Sequence, residues 1–184
     1  MSESAKSQYL TFLLSELELG IPIHEVAQII EHTAPTRVPN LPEVIRGVIN
    51  LRGNVLPVVD LAIKLGRPSQ PVTRKTCIVI VETREAGLLG LLADSVREVV
   101  ELGPSDILPA PDFGVAVHTE YLLGLGKVRD ELVLLIDSAR LLSPKELLAA
   151  AQPLGDASST EQSGADPAAA EAPAADPASA QAAR

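Results

Sequence analysis

The sequence predicts a mainly β protein built as two small, mainly antiparallel β barrels, and two observations carry that prediction. Its apolar residues fall in short runs rich in Val, Ile and Leu, bounded by Gly, Pro, Asn, Asp or charged turn residues, which is the pattern of strands and hairpins. A unit of about five strands also occurs twice in the same order, and closing each sheet on itself removes its exposed edges.

Taken in order, residues 8–14 (QYLTFLL) and 17–21 (LELGI), joined through Ser15-Glu16, form a first hairpin that Pro22 interrupts at its end. Residues 24–30 combine helical spacing of Val26, Ile29 and Ile30 with β-branched side chains that favour extension, so a brief turn running into a strand is expected. Three prolines in residues 33–42 make that segment a surface connection. Residues 42–45 are expected to open one helical turn, with Asn40 as a nearby cap.

Residues 47–65 (GVINLRGNVLPVVDLAIKL) organise the chain: strands at 48–51 and 55–59, hinged on Leu51-Arg52-Gly53-Asn54, precede a short helix. The Gly53-Asn54 pair supplies the positive φ of a tight turn and pushes Arg52 out beside it, where on its own it reads as a solvated charge. Residues 66–74 are a linker, 76–83 (TCIVIVET) the clearest strand, and 88–92 and 96–102 two more. Residues 121–128 and 131–136 make another hairpin around Arg129-Asp130, and 138–152 are helical in character, with Ser143-Pro144 suited to starting a fresh helix. From Pro153 the chain is Ala, Pro, Asp and Ser without aliphatic periodicity, and is expected to be disordered.

The repeat emerges from two shifts. A shift of 77 lays Gly47 on Gly124, Arg52 on Arg129, Asp60 on Asp137 and Ala62 on Ala139; a shift of 70 lays Gly20 on Gly90, Val26 on Val96, Ile29-Ile30 on Val99-Val100 and Glu31 on Glu101. The expected organisation is one domain over residues 1–152. Its first barrel spans about 14–65 plus the 8–14 strand, its second about 75–137, and a C-terminal helix covers 138–152, before a tail over 153–184.

At 184 residues the chain can bury a core without metal or disulfide help. Its single cysteine, Cys77, makes no internal bridge, and the start has no signal-peptide pattern, so a cytoplasmic location is expected. No apolar run approaches the roughly 18 residues of a membrane span, so any membrane association runs through a partner. The net charge is −9, of which the five acids and one arginine of residues 153–184 leave about −5 for the rest. With two Phe, two Tyr and no Trp as well, basic footprint and stacking platforms are both missing, which argues against nucleic acid as a partner.

Catalytic patterns are sparse. His24, His32 and His118 lack metal-ligand spacing, and no phosphate loop, nucleophile elbow or zinc motif is present, so no cofactor is expected. Cys77 sits inside an apolar run and reads as core in preference to a nucleophile. Asp60, ending VLPVVD, has the position of a phosphoacceptor, yet the long alternating helices and clustered acids of such a fold are missing. It reads instead as the cap of the following helix, as Asp137 does in the second repeat. These residues point to a binding module rather than an enzyme.

Over residues 8–148 the chain resembles the CheW coupling-protein family of bacterial chemotaxis. The resemblance rests on Gly20-Ile21 with Ile23 and Val26, on IRGVINLRG (45–53), on VLPVVDL (55–61), on PAPDF (109–113) and on EYLLGLG (120–126). It implies two packed five-stranded SH3-like barrels and a non-catalytic adaptor that holds the histidine kinase CheA, through its regulatory domain, against the cytoplasmic tips of chemoreceptors. By resemblance the receptor tip would dock at Ile23, Val26, Gln28, Ile29, Gly47, Arg52 and Val99. The kinase would meet Arg46, Val55 and Pro57, with Phe113 near a second, ring-building contact. An adaptor of a parallel pathway, such as surface motility or development, is the alternative. Gln28 stands where relatives often carry an acid, and Leu108 where some carry a base.

Overall fold

The computed structural model describes residues 6–110 and 120–151. Eleven strands and two short α-helices follow one another among them: β1 (Ser7–Leu14), β2 (Leu17–Pro22), β3 (Val26–Glu31), β4 (Ile45–Leu51), β5 (Asn54–Asp60), α1 (Leu61–Lys64), β6 (Cys77–Thr83), β7 (Gly87–Ala93), β8 (Ser95–Leu102), β9 (Ile107–Leu108), β10 (Leu122–Val128), β11 (Glu131–Ile136) and α2 (Pro144–Ala151). The fold is mainly β, as predicted, and single 3-10 turns at Ile23–Glu25, Pro104–Asp106 and Ser138–Arg140 punctuate it.

Two local expectations need correction. Residues 42–45 form a single turn, closed by Ile45 N donating to Pro42 O at 2.8 Å, and β4 starts there. Asn40 is a left-handed turn residue, φ 63°, not a helix cap. The helical stretch at 138–152 is not continuous: a 3-10 turn ends at Arg140, and α2 begins afresh at Pro144, where Ser143-Pro144 is expected to start a helix. Ser143 and Glu146 form the capping box that starts α2, Ser143 N donating to Glu146 Oε2 at 2.6 Å and Glu146 N to Ser143 Oγ at 3.4 Å.

The strands form two sheets, ordered β8-β1-β2-β11-β10-β9 and β3-β6-β7-β5-β4. This pairing overturns the expected split into barrels at 14–65 and 75–137. Each sheet mixes strands of both repeats: β1 and β2 join the four strands β8 to β11, while β6 and β7 join β3, β4 and β5. The repeat itself is real and accurate to the register. Gly20 faces Leu135 where β2 and β11 run parallel, and Gly90 faces Val58 where β7 and β5 run parallel. The shifts of 70 and 77 carry one pair onto the other. Both glycines admit the neighbouring strand: a Cβ on Gly20 would lie 2.9 Å from Leu135 Cδ2, and one on Gly90 2.8 Å from Ile78 Cγ2.

Burial explains why the sheets curl. Ile49, Leu56, Val58, Ile78, Ile80 and Leu92 fill the inside of the β3–β7 barrel, with Ile30 and Leu51 from its two edge strands packed on the same cluster. Tyr9, Leu102, Val133 and Leu135 fill the other barrel. A third and larger cluster lies between them, centred on Phe12, Leu19, Ile21, Val59, Val79, Val81, Leu91 and Ile136, all fully buried. Strand side chains alternate between faces, so Leu10 and Phe12 feed the shared cluster while Tyr9 points into its own barrel. The barrels are thus welded by apolar area, the dominant favourable term in folding. No helix among the described residues is long and apolar enough to cross a membrane.

Candidate interaction surfaces

The β4–β5 hairpin presents Arg52 through backbone geometry. Leu51 pairs with Asn54, leaving Arg52 and Gly53 as the two turn residues, and both have positive φ, 54° and 88°. That is the pattern of a type I′ turn, whose twist matches the flanking strands. The positive φ therefore belongs to Arg52-Gly53 rather than to the expected Gly53-Asn54. A non-glycine residue in the left-handed region costs on the order of 1 kcal/mol, and Arg52 is held there by the ladder on both sides and by Gly53 N donating to Asn50 Oδ1 at 2.8 Å. Its side chain is exposed and makes no ion pair among the described residues.

The second repeat supplies a control. Arg129 occupies the matching turn with φ 55°, but its guanidinium lies 3.5 Å from Glu98 Oε1. Glu98 is the counterpart of Gln28, 70 positions earlier. Among the described residues one arginine turn thus meets an acid within the chain, and the other does not.

The other residues predicted to meet the receptor divide into outward and supporting groups. Ile29 on β3 and Val99 on β8, counterparts in the two repeats, are 43% and 48% exposed. Ile23 and Val26 are half-buried and pack on the cluster between the barrels; Val96, the counterpart of Val26, does the same from the second repeat. Gln28 is half-buried on β3. Gly47 is different, being buried with φ 144°, and a Cβ there would collide with the Thr36 carbonyl oxygen. Thr36 and Val48 exchange backbone hydrogen bonds of 2.8 and 2.9 Å at that point, which fastens the proline-rich segment over the open edge of β4. Gly47 therefore supports the surface and is not presented on it.

The residues expected on the kinase face divide similarly. Val55 is 38% exposed and Arg46 half-buried, its Nε 3.7 Å from Asp60 Oδ2. Pro57 is a correction: it is buried on β5, one residue before the parallel ladder with β7 begins at Val58, where a residue without an N–H is tolerated. Phe113 lies outside the described residues. Sequence patterning alone does not single out Thr36, Asn50 or Glu98, although the shift of 70 that lays Val26 on Val96 also places Glu98 opposite Gln28.

The groups capable of chemistry are committed elsewhere. Asp60, 1% exposed, accepts from Ala62 N at 3.0 Å, Ile63 N at 3.4 Å and Ser69 Oγ at 2.5 Å, so it caps α1 as predicted. Asp137 repeats the cap, accepting from Ala139 N at 3.0 Å. Burial raises the Cys77 thiol above its ordinary range, and nearby Asp94 pushes the same way against a backbone hydrogen bond at Val96; the thiolate needed by a nucleophile is disfavoured. Among the described residues no three His, Cys, Asp or Glu side chains are grouped to hold a metal ion.

The architecture and the repeated arginine turns can be set beside known proteins. A family model described as the CheW-like domain matches residues 8–146. The chain belongs to the CheW-like domain family. The chemotaxis protein CheW of Klebsiella aerogenes is 34% identical over 145 residues, covering 79% of this chain and 87% of that protein. Protein FrzA of Myxococcus xanthus is 30% identical over 149 residues, covering 80% and 92%. The crystal structure of the scaffolding protein TtCheW from Thermoanaerobacter tengcongensis aligns with a TM-score of 0.70 at 29% identity, covering 77% of this chain and 96% of that one. The CheW-like domain accordingly accounts for nearly all the described residues.

Proposed function

We propose that this CheW-like domain is a non-catalytic scaffold that couples the cytoplasmic tips of chemoreceptors to the histidine kinase CheA, in the cytoplasm and at receptor arrays through those partners. The observation that carries the reading is the exposed Arg52 on a strained turn, without an ion pair among the described residues, contrasted with its twin Arg129, which meets Glu98. A receptor tip is a helical hairpin with aliphatic knobs and oxygen acceptors. Ile29, Val99 and the half-buried Ile23 and Val26 suit the first, and Arg52 and Gln28, the counterparts of the Arg129–Glu98 pair, suit the second. Gly47 acts by holding β4 in place. Arg46 and Val55 are the kinase contacts in this reading, with Pro57 shaping β5 beneath them and Phe113 contributing elsewhere. The relatives named chemotaxis protein CheW and the scaffolding protein of similar fold support it.

The test is reconstitution of receptor signalling fragments and CheA with and without this protein, reading kinase activity and co-sedimentation. Arg52→Ala is expected to cost on the order of 2 kcal/mol in receptor affinity with the fold intact. Unchanged co-sedimentation would remove Arg52 from the site. The match to FrzA favours one second reading, an adaptor of a parallel chemosensory pathway with a different kinase, which a pull-down would identify. An enzymatic role for Asp60 predicts phosphotransfer from a phosphorylated kinase; burial and three hydrogen-bond donors on its carboxylate argue against it.

A further inference from the structure

Four of the nine strand pairings join the segment before the 66–75 linker to the segment after it: β1 with β8, β2 with β11, β3 with β6 and β5 with β7. Without them the first half retains two separate hairpins and an unpaired β3, and isolated hairpins are marginal in water. The cluster between the barrels is divided as evenly: of its twenty buried residues, ten precede the linker and ten follow it. Neither half owns this cluster. Each half instead presents, in sheet edges and apolar side chains, a surface complementary to the other. The linker runs outside this arrangement, with every residue from Gly66 to Lys75 exposed except the half-buried Ser69.

We propose that each half-chain is a docking surface for the complementary half and that a second copy of this chain can supply it. Two chains would then exchange halves through the 66–75 linker into a dimer holding two complete domains. The occupant is fixed by register: the Gly20–Leu135 and Gly90–Val58 crossings accept only the matching strand of the other half. Ten linker residues span up to roughly 35 Å when extended, room enough for two domains to lie side by side. Such a dimer would carry two copies of every contact surface in one non-covalent assembly, converting single contacts into avid ones.

Two full-length variants test this. Gly20→Val blocks the first half at Leu135, and Gly90→Val blocks the second at Ile78 and Val58. Refolded separately from urea, each is expected to show no cooperative transition. Refolded together, they pair the intact first half of one chain with the intact second half of the other, giving a dimer with one folded domain per two chains. A mixture whose circular dichroism equals the average of the separate samples, beside wild-type protein that refolds, overturns the proposal. The full chain with a protease site between Gln70 and Pro71 provides a second measurement that does not depend on those variants. After cutting, the halves should stay together with the uncut spectrum, and their urea midpoint should fall on dilution as that of a bimolecular complex does. Separation of the halves in buffer, or a cooperative transition from either half alone, would refute complementarity.

Discussion

Replacing Gly47 by alanine separates a supporting role for this residue from a contact role. Its φ of 144° and the Thr36 carbonyl oxygen leave no room for a Cβ, so the proline-rich segment must withdraw. Withdrawal breaks the two backbone hydrogen bonds between Thr36 and Val48, worth about 1–3 kcal/mol together. If the strand keeps its path, backbone strain of about 1–3 kcal/mol is added. The expected loss is therefore about 2–6 kcal/mol, a large part of a typical domain stability of roughly 5–15 kcal/mol. Gly53→Ala is the comparison, because a Cβ there meets nothing within 4 Å and pays only for its φ of 88°; about 1–2 kcal/mol is expected. Urea denaturation with unchanged slope reads both values. Gly47→Ala with wild-type stability and weakened receptor binding would show that the collision argument fails and that this position is touched directly.

Other predictions follow from polar anchors and buried groups. Burial acts to raise the Glu146 carboxyl, but hydrogen bonds from Lys64 and Ser143 outweigh it and hold it below its ordinary value. A carboxyl lowered on folding stabilises fully above its unfolded value near about 4.3 and loses that contribution as pH falls through the folded value. Lys64→Met should accordingly flatten the acid limb of stability against pH, measured by urea midpoints between pH 6 and 3 (roughly the range of carboxyl titration); an unchanged limb would mean that the 2.7 Å Lys64–Glu146 pair carries no linkage. Asp60→Ala should cost about 1–2 kcal/mol through the lost cap, whereas Asp60→Asn, which still caps, should cost much less; equal thermal shifts would contradict the cap. The Cys77 thiol should react with an alkylating reagent far more slowly in the native protein than in urea, and equal rates would place it at the surface.

Local chemistry was readable where the physics is local. Both capped hairpins announce themselves through turn residues and a carboxylate at the right offset, so the sequence alone marks Asp60 and Asp137 as caps. The duplication was readable because small residues recur where strands cross closely, as at Gly20 and Gly90. Pairing between repeats was not, since β3 carries nothing in its own sequence that names β6 as its neighbour; barrel boundaries drawn along the chain therefore differed from those in space. β9, two residues long, has too little pattern to detect. At the site, Arg52, Ile29, Val55 and Val99 proved exposed as a contact surface requires. Gly47 and Pro57 did not, because a small residue in a motif reports equally on close packing and on binding, and only the Thr36 collision and the start of the β5–β7 ladder tell them apart.

The parallel contact between β2 and β11 joins residues 115 apart, Leu19 to Leu134. On a ribosome adding 5–20 residues per second, the first hairpin waits roughly 6–23 s for that neighbour. During the wait Leu19 and Ile21, both destined for full burial, have no complete core to enter. Non-local pairing of this kind slows folding and leaves apolar edges open to other nascent chains. The schedule of synthesis, and not only final stability, thus bears on how much of this protein reaches its native state.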